Sequence, residues 1–149
     1  MNPLAHGLAD PARSGIVALA ASELASLAAA ADAAGLPMLR IDLRGCRDKP
    51  ALLKRIARAL GTPAAQGRNW DALADQLRDL GWLPESRGHI LLFTHAGSLH
   101  ASDPASFSTL LSLLADAADH WRTRGIPFQA VFTLPAHMLR VQGNSSEPR

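Results

Sequence analysis

The sequence predicts an α/β fold, a small two-layer or three-layer sandwich in which helices pack on a mainly parallel sheet of three to four strands. Four short apolar segments have the length and residue types of buried strands, and stretches with helical periodicity separate them. Strands that alternate with helices pair in parallel through right-handed crossovers. The predicted strands are residues 15–19, 38–43, 89–94 and 128–134.

Capping residues and glycines mark the ends of the predicted helices. Small polar residues and proline favour helix starts, whereas glycine favours the left-handed conformation that follows a helix. The predicted starts are Ser22, Pro50, Asn69 and Asp103 before Pro104, and the predicted stops are Gly35, Gly61, Gly81 and Gly125.

The composition is that of an ordinary globular protein, with 149 residues, 48% hydrophobic and 19% charged, and a net charge of +2. This length predicts one domain over residues 15–135, between a mobile lead-in of residues 1–14 and a loose tail of residues 136–149. The single cysteine, Cys46, excludes an intrachain disulfide. Because the N-terminal residues lack the pattern of a signal peptide and apolar stretches are short, we expect a cytoplasmic protein that does not contact membranes.

One predicted helix, which begins at Asn69, carries an unusual charge pattern. Asp71, Asp75 and Asp79 fall on one side at intervals of four residues, where like charges weaken a helix. Local rules tend to be broken at functional sites, although a solvated helix face is the alternative explanation. The opposite side is apolar and is predicted to pack on the core through Trp70, Leu73, Leu77 and Leu80.

A second charged region is basic and extends over residues 44–58, with Arg40 just before it. It predicts either a nucleic-acid interface or the solvated outer face of a helix and its preceding loop. No aromatic residue lies between these charges, so a base-stacking surface is not indicated. The basic residues are Arg40, Arg44, Arg47, Lys49, Lys54, Arg55 and Arg58.

Motifs for catalysis and cofactor binding are missing from the sequence. It contains no phosphate-binding glycine loop, no GxGxxG sequence after a strand and no GxSxG elbow. His95 and His100 lie five residues apart and need further ligands to hold a metal ion. Cys46 lies in a turn without a partner motif, which favours an inert thiol. We therefore expect no enzymatic activity, no cofactor and no metal.

The segment Gly-x-Asn-Trp-Asp-Ala-Leu-x-Asp, residues 67–75, together with Gly81 and Trp82, resembles the signature of the barstar family of ribonuclease inhibitors. Trp70 stands where the family signature has leucine. The likeness extends over residues 38–134, and the strand and helix predicted over residues 15–36 look like the extension of longer members.

This resemblance implies an inhibitor that plugs the basic active site of a ribonuclease, in place of RNA phosphates. Asp75 would enter the phosphate site and Asp71 would support it. Direct nucleic-acid binding is not expected. The surrounding contact surface would comprise Gly67, Asn69, Trp70 and Ala74, with Gly81 and Trp82 at its far edge.

Several positions depart from the family pattern. Ala65 and Gln66 replace aromatic residues before the glycine, and Ala74 replaces a tryptophan. His120 and Arg124 stand late in the long helix, where family members tend to have acids. A different nuclease or an unrelated toxin therefore remains an alternative partner, and an RNA-binding or small-ligand-binding module using residues 44–58 remains an alternative function.

Overall fold

The computed structural model describes residues 10, 15–61, 69–79 and 88–134. The predicted lead-in, except residue 10, and the predicted tail lie outside these ranges. A 3-10 turn, Ala21–Glu23, precedes the first helix. The elements are β1 (Gly15–Ala20), α1 (Leu24–Ala34), β2 (Met38–Asp42), α2 (Lys49–Leu60), α3 (Trp70–Arg78), β3 (His89–Thr94), α4 (Gly97–Ser102), α5 (Pro104–Arg122) and β4 (Phe128–Leu134).

The four strands form one parallel sheet in the order β1-β4-β3-β2, which confirms the predicted α/β class. From β2 to β3 and from β3 to β4 the chain steps in one direction across the sheet, whereas from β1 to β2 it crosses in the opposite direction. Right-handed crossovers therefore place α2 to α5 on one face and α1 on the other. The fold is a three-layer sandwich with unequal helical layers.

The face under α2 to α5 carries the larger part of the core. At its centre Phe93 of β3 stacks on Phe132 of β4, with ring centroids 4.7 Å apart. Phe107 of α5 meets Phe132 edge-on at 5.6 Å. Aromatic pairs in these geometries contribute about 0.5–1.5 kcal/mol beyond their buried area, so α5 is held firmly on the sheet.

The other face is covered by α1. Its buried side consists of Leu27, Ala30 and Ala31. They pack on the outward side chains of the sheet, together with Leu36, and the sheet residues in this cluster are Ile90, Leu92 and Val131. Small alanines let the helix approach closely, which explains why an alanine-rich segment forms a stable layer here.

The short helix α4 was not predicted, and the ends of the other helices agree with the sequence except at two places, of which the first is the start of α1. Ser22 does not cap this helix, so that prediction is wrong. Instead the Glu23 carboxylate accepts a hydrogen bond from the Ala20 N–H at 3.1 Å and closes the 3-10 turn. Gly35 and Gly61 end α1 and α2 with φ values of 70° and 74°, as predicted.

The first residue of β3, His89, is buried against the edge of the core. Its ring lies on Trp121 with centroids 5.0 Å apart. Burial lowers the pKa of His89 from the ordinary value of about 6.5. The folded protein therefore holds this imidazole neutral under conditions in which the unfolded chain protonates it.

We expect the stability of the protein to decrease as the pH falls below about 6.5. In that range the unfolded state binds a proton at His89 and the folded state does not, so the free energy of unfolding rises with pH. The contribution of His89 to stability is fully present above the pKa that this residue has in the unfolded chain. Replacing His89 by phenylalanine keeps an aromatic ring on Trp121 and should reduce the slope of stability against pH just below about pH 6.5, measured by urea denaturation. The exposed His100, changed to phenylalanine, is the matched control, and an unchanged slope in His89→Phe would contradict the assignment.

Candidate functional site

The acidic helix, α3, is built as the sequence predicts at its beginning. The Asn69 side chain accepts a hydrogen bond from the Ala72 N–H at 2.7 Å, and the Asn69 carbonyl accepts one from Leu73 N–H at 3.1 Å. Leu73 and Leu77 are buried in the core under the helix. The cap and the apolar side together fix which face α3 turns outward.

The outward face of α3 carries two carboxylates one turn apart, those of Asp71 and Asp75, both exposed. Asp71 lies in the first turn, where the helix dipole stabilises a negative charge. The Asp75 carboxylate accepts a hydrogen bond from Arg78 at 2.8 Å, and 77% of its side chain remains accessible. Such an exposed ion pair contributes little to stability, so Asp75 is available to an incoming cation. Ala74 lies beside the pair and is half-buried.

The C-terminal end of α3 is the second place where the sequence-based prediction is wrong. The helix ends at Arg78, and Asp79 follows it with φ −125° and ψ 73°, outside the helical region. Asp79 therefore does not continue the acidic stripe, and the helix ends earlier than the predicted stop. Gly67, Gly81 and Trp82, predicted as contact residues, lie outside the described residues, as do Ala65 and Gln66.

The end of α3 is held by α5 through Trp121. The Trp121 indole N–H donates a hydrogen bond to the Leu77 carbonyl at 2.9 Å. A carbonyl in the last turn of a helix has no partner within the helix, so this bond satisfies a group that burial would otherwise leave unpaired. Trp121 is itself buried, as the sequence predicts.

Trp70 anchors the beginning of α3. Its half-buried ring packs against the main core, as predicted. The Lys49 ammonium lies 5.6 Å from the centroid of the ring. Because Lys49 is the first residue of α2, this cation–π contact joins the starts of two helices. The acidic pair therefore lies on a helix that is fixed at both ends.

Basic groups surround the C-terminal end of α3. The Arg124 guanidinium donates a hydrogen bond to the His120 ring at 3.0 Å. Burial lowers the pKa of His120, and the positive charges of Arg124 and Arg78 lower it further. At neutral pH the imidazole accordingly stays uncharged, and the positive charge at this end comes from the two arginines.

The loops at the carboxyl ends of β2 and β3 hold a polar cluster that sequence reasoning missed. His95 donates a hydrogen bond from Nδ1 to Asp42 at 2.8 Å, and its Nε2 accepts one from Arg44 at 3.1 Å. The pKa of Asp42 is lowered chiefly by its hydrogen bond with His95. His95 has a φ of 58°, in the left-handed region. The only signal in the sequence is that Asp42 lies near the end of a predicted strand, whereas Arg44 and His95 follow predicted strands.

Three cations of the basic region, residues 44–58, make contacts within the protein. Arg44 contacts His95, and Lys49 lies over Trp70. The Arg55 guanidinium donates a hydrogen bond to the Asp42 carbonyl at 2.7 Å. These cations serve contacts within the protein, which favours the interpretation of a solvated and partly structural basic face.

The described part of the chain also bears on metal binding, on the single cysteine and on membrane spans. There, no three His, Cys, Asp or Glu side chains come together in a way that would hold a metal ion. Cys46 is a buried free cysteine, and burial raises the pKa of its thiol. None of the described helices has the length and apolar character needed to cross a membrane.

We expect the replacement of Asn69 by alanine to lower the free energy of unfolding by about 1 kcal/mol, because it removes the side-chain cap of α3. Chemical denaturation measures this loss. Asn69→Asp keeps an acceptor at the same place and is the matched control. If both variants lose the same stability, the cap does not carry the effect.

The fold is a small parallel α/β sandwich, and its helix α3 presents an exposed pair of carboxylates. The family described as "Barstar (barnase inhibitor)" matches residues 36–133. The chain therefore belongs to the barstar family, whose members are inhibitors and not enzymes, so the expectation of a non-enzymatic protein is confirmed at the level of the family. β1 and α1 precede the matched segment.

The chain was also compared with the curated proteins and with solved structures. A search of the curated proteins found no match. Among solved structures, the chain is similar to a chain in "Structure of Drosophila ORC bound to DNA", with a TM-score of 0.50 and 13% sequence identity. The similarity covers 84% of this chain and 33% of that one. At this identity the likeness concerns the fold alone.

Proposed function

We propose that the protein inhibits a ribonuclease by inserting the carboxylates of α3 into its active site. A ribonuclease site is shaped to hold RNA phosphates and is therefore rich in cationic groups. Two carboxylates on a rigid helix can replace two phosphate charges and also accelerate association through long-range attraction. The observation that carries the proposal is the exposed pair of Asp71 and Asp75 on a helix fixed at both ends.

Asp75 is the group that we assign to the phosphate site, with Asp71 beside it. Before binding, the Asp75 carboxylate is paired with Arg78 at 2.8 Å. The cations of a ribonuclease would compete with Arg78 for the same carboxylate, and an exposed ion pair offers little resistance to this exchange.

The contact surface around the two carboxylates includes Asn69, Trp70 and Ala74 in this proposal. Its remaining parts, Gly67, Gly81 and Trp82, rest on the family signature alone. The family match supports an antitoxin or immunity role in the cytoplasm, where such an inhibitor protects RNA from the nuclease.

The proposal is tested by titrating the purified protein into barnase and into a panel of small basic bacterial ribonucleases, with cleavage of a fluorescent RNA as the readout. We expect stoichiometric inhibition of at least one enzyme. If the protein inhibits none of these ribonucleases, the result contradicts the proposal and favours a toxin of another class as the partner.

A gel-shift series with RNA alone separates inhibition from direct RNA binding. Binding of RNA that weakens with salt and survives the loss of both aspartates would instead support the module based on residues 44–58. Absence of a shift leaves inhibition as the explanation of RNA protection.

A further inference from the structure

The two edge strands of the sheet differ in how they are protected against pairing with another strand. β2 forms one edge and carries the exposed charged residues Arg40 and Asp42, with Pro37 just before it. Charges and proline are the usual means by which an edge strand avoids further pairing. β1 forms the opposite edge, and its sequence, GIVALA, contains no charge and no proline.

One side of β1 already faces the core. Val17 and Leu19 pack on the layer formed by α1. Because side chains alternate along a strand, Ile16 and Ala18 point to the other face, and both are exposed. Ile16 is the large hydrophobic residue that remains exposed within the described part of the chain, at 39%.

The backbone of β1 has one paired side and one outward side. Its six residues are in parallel register with β4, from Gly15 opposite Gln129 to Ala20 opposite Leu134. Within the described residues, the backbone N–H and C=O groups that point away from β4 offer a row of donors and acceptors, except for the Ala20 N–H, which already donates to the Glu23 carboxylate. A partner for this row needs an extended backbone and an apolar side chain to cover Ile16.

We propose that the partner is β1 of a second copy of this chain, paired antiparallel across a two-fold axis. Every copy presents the same uncharged edge, and an antiparallel strand pair is self-complementary under two-fold symmetry. The four-stranded sheets of two copies then form one continuous eight-stranded sheet. The charged edge at β2 stays at the outside, where Arg40 and Asp42 protect it.

Symmetry also restricts the register of this pair. A two-fold axis perpendicular to the sheet keeps equivalent faces of the two sheets on the same side. Each residue of β1 therefore stands opposite a residue whose side chain points to the same face. The register that uses most of β1 places Ala18 opposite Ala18 of the second copy, and Ile16 opposite Ala20. Directly opposed residues in antiparallel strands have Cα atoms about 4.5–5.5 Å apart, within the range that a disulfide spans.

The test is cysteine crosslinking of the full-length protein. Ala18→Cys is expected to form a disulfide-linked dimer under mild oxidation. Arg40→Cys, on the exposed surface of the other edge strand, is the matched control and should stay monomeric. The wild-type chain shows that the buried Cys46 does not contribute.

Analytical ultracentrifugation of the protein without added cysteines provides the second readout. The wild-type chain should form a dimer in a concentration-dependent manner, and Ile16→Lys should raise the dimer dissociation constant by at least about tenfold, because the substitution occurs twice in the interface. Circular dichroism confirms that this exposed substitution leaves the fold intact.

These experiments distinguish the proposed strand pairing from its alternatives, and none of them requires a ribonuclease. Crosslinking at Ala18 together with a dimer weakened by Ile16→Lys supports the pairing, whereas crosslinking at Val17→Cys instead overturns only the register. A chain that is monomeric at all concentrations, or a dimer that Ile16→Lys leaves unchanged, overturns the proposal.

Discussion

Replacing Asp75 by alanine is expected to weaken inhibition of the target ribonuclease by about 2–5 kcal/mol, or roughly 30-fold to 5,000-fold in dissociation constant. The loss combines the missing attraction with the cost of leaving a cation of the enzyme buried without a partner. Most of the change should appear in the dissociation rate, because the carboxylate acts within the formed complex. Stopped-flow association and competition experiments on the ribonuclease identified by titration measure both rates.

The substitution should leave the fold unchanged, since the Asp75 side chain is largely exposed and its ion pair with Arg78 contributes little. Asp32→Ala is the matched control, because Asp32 is an exposed aspartate on α1, which covers the other face of the sheet. Equal affinities of the Asp75→Ala variant and the wild-type chain would remove Asp75 from the site. A decrease of the same size in the Asp32 variant would show a general charge effect instead.

Replacing Trp121 by alanine is expected to lower the free energy of unfolding by about 3–5 kcal/mol, the largest effect on stability that we predict here. The substitution leaves a cavity between α3, α5 and the start of β3, and it removes the ring on which His89 packs. It also deletes the hydrogen bond to the Leu77 carbonyl. Urea denaturation followed by circular dichroism measures the loss.

Trp121→Phe separates the hydrogen bond from the packing. Phenylalanine fills much of the same space but donates no hydrogen bond, so the Leu77 carbonyl loses its partner at a cost of about 1–3 kcal/mol. Backbone amide exchange should then increase in α3 more than in α1, because only α3 depends on this contact. An equal increase in exchange in the two helices would show that Trp121 acts by packing alone.

The sequence predicted the elements well because each has strong local signals. Alternation of apolar runs with helical periodicity identified the four strands, and Asn69, Asp103 and the terminal glycines identified most helix boundaries. The start of α1 was missed because the carboxylate of Glu23 competes with Ser22 for the role of closing the first turn. The end of α3 was placed too late because periodicity continues through Leu80, whereas the helix stops at Arg78.

Tertiary pairing could not be predicted in the same way. The parallel sheet followed from the order of elements, but the position of β1 beside β4 depends on contacts between distant parts of the chain. The roles of the charges show the same limit. From composition, Arg44 and Arg55 belong to one basic region, whereas in the fold both bind groups around Asp42.

The acidic helix illustrates what local and nonlocal information each contribute. Asp71 and Asp75 were identified by their spacing and by the family signature, and the structure places both on the exposed side of α3. What the sequence did not indicate is that Trp121, far along the chain, holds the helix by its last turn.

The place of β1 in the sheet also has a consequence for synthesis on the ribosome. Among the described strands β1 pairs with β4, the last of them to be made, so it lacks this partner until nearly all of the described chain has emerged. The intervening strands β2 and β3 can pair before that point, because they are adjacent in the sheet and closer in sequence than β1 and β4 are. Closing so long a loop is slow compared with local pairing. The nascent chain therefore carries the uncharged segment GIVALA without its partner strand until β4 has been made.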